Sequence, residues 1–406
     1  MGAATSYFRT PVRPICFTLR SQGNNAQGQA GAEGEPIKHA DYISTAAAGV
    51  NHSLAVTSKG EVFAWGCNVY GQLGTGEINP ENNKELVTSP ALISFRALVV
   101  IRRVAAGHGH SAALSDAGSV FTWGLGSDGQ LGYEMLQGDS YVVPFMRDRC
   151  QLLPRKVELT EAVGDVACGK NFTMLLTVSG GVLVCGSGVW GVLGNGRLSQ
   201  QFTAERVCGE LTWKRVRSIA SGWSHCLASV SGQGIYTWGR PYLDVSEEPA
   251  KCYPQFILAA DSEILSVACG QNHSAVVIKP LGRRACVWTW GSNGYGQLGY
   301  TSDENVVLEP REVDTGRDWA VEGVACGWNF TVALGSDGKL KGWGGNKYYQ
   351  FGERQESATP AFLSAQRVTE IVCGYSHLLL LQTPGASFPT TREVTTRGKD
   401  DFFPQF

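Results

Sequence analysis

Histidine recurs along the chain in one short phrase, and an imidazole at a repeated position can act as a metal ligand or a general base. Five histidines each follow a glycine by three residues: His52, His110, His225, His273 and His377. Two further copies of the phrase carry Phe172 and Phe330 at this position. Because the position accepts a purely apolar ring, we interpret it as a packed ring that hydrogen-bonds a neighbouring turn, and not as a catalytic or metal-binding residue.

Cysteine is the second residue type that could do chemistry here, yet the 12 cysteines contain no C-x-x-C pair. Four of them precede the same glycine: Cys168, Cys269, Cys326 and Cys373. Ala106 or Ser221 takes this position in other copies, so it requires a small side chain, and we expect reduced thiols in a reducing compartment. No Ser/His/Asp grouping, phosphate-binding loop or metal-ligand spacing stands out. The sequence predicts no catalytic residues, no metal and no cofactor.

Composition narrows the class of protein. The net charge is -2 and charged residues make up 17% of the 406 residues, with no dense Lys/Arg run, so direct nucleic-acid binding is not indicated. No apolar run approaches the roughly 18 residues of a membrane span. The 51 glycines and 11 tryptophans together indicate many tight turns and heavy burial, which is typical of many short strands.

An internal repeat organises the chain. Seven phrases of the type A-x-G-x-x-H contain Gly49, Gly107, Gly169, Gly222, Gly270, Gly327 and Gly374, spaced by 47 to 62 residues. A Trp-Gly or Cys-Gly pair follows in six copies, and a G-Q-L-G phrase or a variant of it follows in five. Between these landmarks apolar and polar residues alternate, so each repeat is predicted to form about four short antiparallel strands. Such sheets have two apolar faces and bury them by packing radially.

These phrases resemble the repeats of the regulator of chromosome condensation family, from about Cys16 to Leu381. The resemblance implies an all-β fold, a single seven-bladed β-propeller of four-stranded antiparallel blades. Family members include exchange factors for a small GTPase, for which acidic residues in the turns after the repeat glycine are implied to act. None of the seven turns here carries Asp or Glu. We therefore favour a non-catalytic, protein-binding regulatory or scaffold propeller that acts through aromatic face turns and inserted loops and is monomeric within a complex. We keep guanine-nucleotide exchange or other regulation of a small GTPase as the alternative.

The turn after each repeat glycine holds two residues that vary freely, and these turns are the predicted partner-binding face. The candidate contacts are His108, Lys170, Trp223, Trp328 and Tyr375, because exposed Trp and Tyr dominate protein interfaces. The alternative is that these aromatic side chains fold over neighbouring turns. Possible additional contacts are Tyr349, Phe402 and Phe403.

Tyr349 occupies the position of the first glycine in the G-Q-L-G phrases, where we expect left-handed backbone. Either the turn differs there, which we favour, or strain is tolerated for an exposed aromatic ring.

The N-terminal stretch SQGNNAQGQAGAEGE has the composition of a linker, but it aligns with the Trp-Gly to G-Q-L-G segment of the first repeat. The seventh copy lacks that segment. We therefore predict that residues 14–35 complete the last blade, within a propeller of residues 14–382 flanked by an N-terminal extension (1–13) and a C-terminal tail (383–406). The tail could dock on this propeller or on a partner, or stay disordered.

Targeting signals are weak. The first 32 residues contain no acid and include Arg9, Arg13 and Arg20, which suits a mitochondrial presequence, and Met1–Ser6 fits a myristoylation pattern. We expect cytosol or nucleus, with mitochondria as the alternative.

Overall fold

The protein is described from a computed structural model, which covers residues 18–23, 25–26, 29–30, 42–78, 87–96, 98–135, 140–143, 148–240, 251–260, 262–351, 356–364 and 367–382. Almost all regular structure in these residues is β-strand. No helix in the described residues is long and apolar enough to cross a membrane.

The strands group into sheets that follow the sequence repeats. The first strand is β1 (Thr18–Gly23). Blade 1 contains β2 (Ile43–Ala48), β3 (His52–Thr57), β4 (Val62–Gly66) and β5 (Val87–Leu92). Blade 2 contains β6 (Ile101–Ala106), β7 (His110–Ser115), β8 (Val120–Leu125), the short β9 (Tyr141–Val142) and β10 (Arg149–Lys156). Blade 3 contains β11 (Val163–Cys168), β12 (Phe172–Thr177), β13 (Val182–Gly186) and β14 (Gln201–Arg206).

The second half of the chain repeats the pattern after a 3-10 turn at Gly209–Leu211. Blade 4 contains β15 (Val216–Ser221), β16 (His225–Val230), β17 (Gly234–Gly239) and β18 (Lys251–Ala259). Blade 5 contains β19 (Glu263–Cys269), β20 (His273–Lys279), β21 (Cys286–Ser292) and β22 (Val306–Val313). Blade 6 contains β23 (Val321–Cys326), β24 (Phe330–Gly335), β25 (Leu340–Gly344) and β26 (Ser357–Ser364). The last strands are β27 (Val368–Cys373) and β28 (His377–Gln382).

The prediction of seven four-stranded blades is wrong. Among the described residues six sheets are blades of the predicted kind, one of them extended to five strands by β9. Within the same residues the seventh repeat forms a three-stranded sheet of order β1-β28-β27, here called the closing sheet. The reason is that no Trp-Gly segment follows β28 in the sequence, so the third strand of this sheet is β1, which pairs antiparallel with β28 from Thr18↔Gln382 to Gly23↔His377. Residues 14–17 and 31–35 of the predicted closing segment, like the predicted N-terminal extension and tail, lie outside the described residues.

The core lies between neighbouring sheets, as expected for units that cannot bury two apolar faces alone. One cluster joins Leu54 of blade 1 to Trp123 of blade 2, and another joins Phe172 of blade 3 to Trp238 of blade 4. The closing sheet packs on blade 6 through Leu378 and on blade 1 through Leu379, so the sheets form a closed ring. The five tryptophans of the Trp-Gly phrases are at most 1% exposed, which agrees with the heavy burial that the tryptophan content indicates.

The ring has two distinct faces. Every second strand of a repeat begins at the turn after the repeat glycine, and the turns of all seven repeats meet around one central cavity. We call this side the turn face. The opposite side carries the hairpins that join the second and third strands of each blade, and β28 ends there at Gln382; we call it the hairpin face.

Candidate functional site

A cavity of about 100 Å³ lies at the centre of the turn face. Each of the seven repeats lines it with the same three positions, namely the small residue before the repeat glycine, the glycine itself and the residue after it. Cys168, Cys269, Cys326 and Cys373 therefore surround the axis, and all cysteines among the described residues are free. The third position of each set is the one that the sequence predicts to contact a partner.

Five side chains converge over this cavity, and we call them the aromatic cap: His108, Lys170, Trp223, Trp328 and Tyr375. The rings of Trp328 and Tyr375 overlap with centroids 3.6 Å apart. Trp223 reaches across the ring to Tyr375 at 6.0 Å and to His108 at 5.9 Å, while Lys170 Nζ lies 4.6 Å above the Trp223 ring. The structure thus brings together all five residues that were selected from separate repeats.

The cap residues are half-buried, because each ring packs on its neighbours. The alternative stated above, aromatic side chains folded over neighbouring turns, describes part of this arrangement: the rings fold inward over the axis and share one surface. The cap presents an apolar, aromatic centre whose atoms are only partly covered. Such a surface can bury more apolar area when a partner covers it.

The electrostatics of the cap disfavour positive charge. Burial lowers the pKa of His108, and the Lys170 ammonium lowers it further. Burial also lowers the pKa of Lys170, while Asp128 acts in the opposite direction. At neutral pH His108 is therefore a neutral aromatic ring, and Lys170 supplies the positive charge of the cap.

A second ring of residues surrounds the cap and was missed by the sequence reasoning. These residues precede the first position of the G-Q-L-G turns and their variants: Tyr70, Asp128, Trp190, Tyr295 and Tyr348. Tyr70 lies 6.4 Å from the His108 ring, and Tyr295 is 55% exposed. The signal was present in the sequence, since four of these five residues are aromatic at one fixed position of the repeat.

Asp128 brings a carboxylate to the turn face, although none of the turns after the repeat glycine carries one. Asn171 Nδ2 donates a hydrogen bond of 2.7 Å to Asp128 Oδ2, which ties blade 2 to the turn of blade 3. Burial raises the pKa of Asp128, the bond from Asn171 lowers it, and Asp148 raises it again. The Asp128 carboxylate and the Lys170 ammonium are near enough to shift each other's pKa, so the turn face brings a basic and an acidic group into electrostatic contact.

Tyr349 corrects the sequence interpretation of its turn. Its φ is 57°, in the same left-handed region as Gly71 (72°) and Gly296 (74°), so the turn does not differ and the alternative we favoured is wrong. The tyrosine is 65% exposed. The strain is tolerated because Phe351 N and Gln350 Nε2 hold the turn through hydrogen bonds to Asn346 Oδ1 and Gly345 O. Phe402 and Phe403 lie outside the described residues.

Backbone hydrogen bonds connect successive turns around the axis, except at blade 4. They run from Val50 N to Gly107 O and from His108 N to Lys170 O, and they resume with Gln271 N to Trp328 O. Two more, Trp328 N to Tyr375 O and Tyr375 N to Gly49 O, complete the series. Among the described residues no such bond joins the blade 4 turn to either neighbour. Trp223 is held instead by its ring contacts.

The recurring histidines are structural. All five are fully buried, and in each the Nε2 atom bonds a Ser or Thr hydroxyl of the next sheet, for example Thr173 Oγ1 at 3.0 Å from His110. Thr173 Oγ1 already donates its only proton to Gln130 O, so His110 Nε2 is the donor. The partner is thus a strand hydroxyl and not the neighbouring turn that we predicted.

Comparisons with known proteins agree with this architecture. The model of the RCC1-like domain matches residues 18–321 and 81–390. The secretion-regulating guanine nucleotide exchange factor of Bos taurus is 32% identical over 361 residues, covering 80% of this chain and 73% of the relative. The ultraviolet-B receptor UVR8 of Arabidopsis thaliana is 29% identical, covering 82% of this chain and 73% of the receptor.

Solved structures share the fold at lower identity. Human WBSCR16 superimposes with a TM-score of 0.77 at 22% identity, covering 91% of this chain and 99% of that chain. Yeast RCC1 (Prp20), solved bound to Kap60, gives 0.74 at 20% identity, covering 95% and 96%. The repeat landmarks, the ring of sheets and the matched domain lead to one conclusion: the chain belongs to the family of proteins with an RCC1-like domain.

Proposed function

We propose that this chain is a regulatory propeller that binds a protein partner through its turn face, with the aromatic cap as the centre of the contact. The observation that carries the proposal is the convergence of Trp223, Trp328 and Tyr375, from three separate repeats, on one half-buried surface. Aromatic residues at the centre of a surface are the usual anchors of protein interfaces. The surrounding ring, with Tyr70 and Tyr295, enlarges the apolar area available to a partner.

Affinity capture from cells followed by quantitative mass spectrometry tests this proposal. We expect the double variant Trp223→Ala/Trp328→Ala to lose at least tenfold of its specific partner, since two interface anchors are worth roughly 2 kcal/mol or more each. Leu281→Ala is the matched control, because Leu281 is 87% exposed on the hairpin face. Circular dichroism melting verifies that both variants fold. Undiminished capture by the folded double variant would contradict the proposal.

A second candidate, guanine-nucleotide exchange on a small GTPase, is favoured by Asp128. In an exchange reaction a carboxylate competes for the lysine and the magnesium ion that hold the nucleotide phosphates, and Asp128 places one beside the cap. The bovine relative that is 32% identical carries an exchange factor's name. This candidate uses the same face as the first.

Release of a fluorescent nucleotide from a panel of purified small GTPases separates the two candidates. Acceleration of about a hundredfold or more for one member, reduced at least tenfold by Asp128→Asn, supports exchange. The substitution keeps the size of the side chain and removes its charge. Absence of acceleration across the panel, with partner capture intact, leaves the scaffold function alone.

A further inference from the structure

An aromatic and basic surface lies on blade 4 away from the turn face. We call it the blade 4 patch and define it as Trp213, Lys214, Arg215, Tyr253 and Phe256. Trp213 is 95% exposed, and Tyr253 and Phe256 are 50% and 46% exposed. Single exposed apolar residues are ordinary, but three aromatic side chains together on one surface are not.

Contacts join the loop before β15 to the outer strand β18. Lys214 Nζ lies 5.3 Å from the centroid of the Tyr236 ring, and Tyr236 meets Phe256 edge to face at 5.4 Å. Gly209 lies directly against Tyr253, since an added Cβ would stand 3.5 Å from Tyr253 Cβ. The loop that presents Trp213 and the outer strand β18 therefore form one surface.

The patch has an excess of positive charge. Lys214 bonds Gln233 Oε1 at 2.6 Å, and the neighbouring Arg217 bonds Ser231 Oγ at 3.1 Å, both neutral partners. Within the described ranges no ion pair involves Lys214, Arg215 or Arg217. Glu210, on the 3-10 turn, is the acid that lies nearest in the sequence. Over the described residues of this surface three basic groups lie near one acid, and this excess of positive charge favours a negatively charged occupant.

We propose that the acidic and aromatic end of this chain, residues 400–406 with the sequence DFFPQF preceded by Asp400, docks on the blade 4 patch. Asp400 and Asp401 complement the basic groups, and the rings of Phe402 and Phe403 complement Trp213 and Phe256. This inference does not depend on the proposed function, which concerns the turn face.

The position at which the described chain ends makes this contact possible. β28 ends at Gln382 on the hairpin face, the side on which the hairpin of blade 4 contacts Lys214. The 17 residues from 383 to 399 can span about 60 Å when extended, whereas a compact domain of this size has a radius of gyration of about 21 Å. A tether of this length also holds the segment at roughly millimolar effective concentration, so a weak contact suffices.

Photo-crosslinking in the full chain tests the proposal. The photoreactive analogue p-benzoylphenylalanine is incorporated at position 403, and the monomeric product is mapped by mass spectrometry. We expect intramolecular crosslinks to residues 209–217 or 251–258. Trp213→Ala lowers their yield at least fivefold, as does Asp400→Lys/Asp401→Lys.

Leu98→Ala serves as the matched control, because Leu98 is fully exposed on a different loop of the hairpin face. Its crosslink yield stays within a factor of two of the parent chain. Crosslinks to the turn face, crosslinks found only between two copies, or no crosslink in the monomer would each overturn the proposal. Both Trp213 and Leu98 are exposed, so neither substitution threatens folding.

Discussion

At the residue scale, the repeated ring position is matched to its neighbour in the next sheet. Where the ring is histidine, the facing residue is Ser or Thr, as in the pairs of His52 with Ser111 and His273 with Thr331. Where it is phenylalanine, the cluster partner is apolar: Cys226 for Phe172 and Leu378 for Phe330. The ring is therefore histidine where its buried N–H group finds a hydroxyl acceptor in the next sheet, and phenylalanine where it would find none.

The buried histidines make the stability of the fold depend on pH. Burial lowers the pKa of His52, His110 and His273 to about 3, and that of His225 and His377 to about 4. In the unfolded chain the pKa is about 6.5, so below that pH the unfolded state binds protons that the native state does not. The free energy of unfolding therefore falls as the pH falls, by up to about 1.4 kcal/mol per pH unit for each histidine.

Urea unfolding between about pH 7.5 and about pH 5 measures this slope, above the range in which most carboxyl groups titrate. His110→Phe should reduce the slope by the contribution of one histidine. An unchanged slope in this variant would show that the native imidazole is protonated in this range.

Tyr349 offers a second test at this scale. Left-handed backbone costs a non-glycine residue about 1 to 2 kcal/mol, and part of any gain from glycine is lost to the greater entropy of the unfolded chain. Tyr349→Gly should therefore raise the free energy of unfolding by about 1 kcal/mol, as measured by chemical denaturation. Tyr349→Ala keeps the strain and should give no such gain; equal effects of the two variants would refute the strain argument.

At the element scale, the sheets are linked by a repeated polar contact as well as by apolar packing. The Gln72 carbonyl of blade 1 accepts bonds from Ser111 Oγ at 2.8 Å and Trp123 Nε1 at 2.9 Å of blade 2. Gln29, which follows β1, does the same for Ser53 and Trp65 of blade 1. The backbone carbonyl of the turn glutamine in one sheet thus accepts hydrogen bonds from the second and third strands of the next sheet.

A double-mutant cycle tests this matching between sheets. His110→Phe with Thr173→Cys recreates the apolar pair of Phe172 with Cys226, so the double variant should be more stable than the sum of the single changes by about 1 kcal/mol or more. His110→Phe with Ser274→Cys is the control, since Ser274 pairs with His225 and the two changes should add. Free energies of unfolding from urea titrations give the coupling energy between the two positions of each pair. If the two changes add in both pairs, the ring and its neighbour in the next sheet are not matched.

At the scale of the whole molecule, the ring is closed by the two ends of the chain. β1 covers the edge of β28, and Leu19, which is 0% exposed, joins Leu379 and Trp65 in the cluster between the closing sheet and blade 1. An uncovered β28 would leave an open edge, which favours association with other chains.

Deleting residues 1–31 should therefore lower the free energy of unfolding by roughly 5 kcal/mol or more, from the loss of a buried leucine and the hydrogen bonds of one strand. Deleting residues 1–13 removes only the predicted extension and is the control. Thermal melting and size-exclusion chromatography measure stability and association. Equal melting temperatures for the two deletions would mean that the N-terminal strand does not close the ring.

Much of the architecture could be read from the sequence because the repeat is local. The glycine three residues before each ring is required because the ring packs directly over it, as His110 does over Gly107. The Trp-Gly spacing reflects the hairpin that joins the second and third strands of each repeat. The number of complete blades could not be counted from phrases alone. The seventh phrase is present, but its sheet receives one strand from the other end of the chain.

The sequence by itself determined the strand content, the buried tryptophans and histidines, and the pairing of the N-terminal stretch with the last repeat, because each depends on residues at fixed local spacing. Only the tertiary structure decided that five turn residues converge as one cap, that Asp128 joins them, and that Trp213 stands exposed with Tyr253 and Phe256. These groupings join residues from different repeats. Their distances are fixed by how the sheets pack around the axis, and no local pattern records that packing.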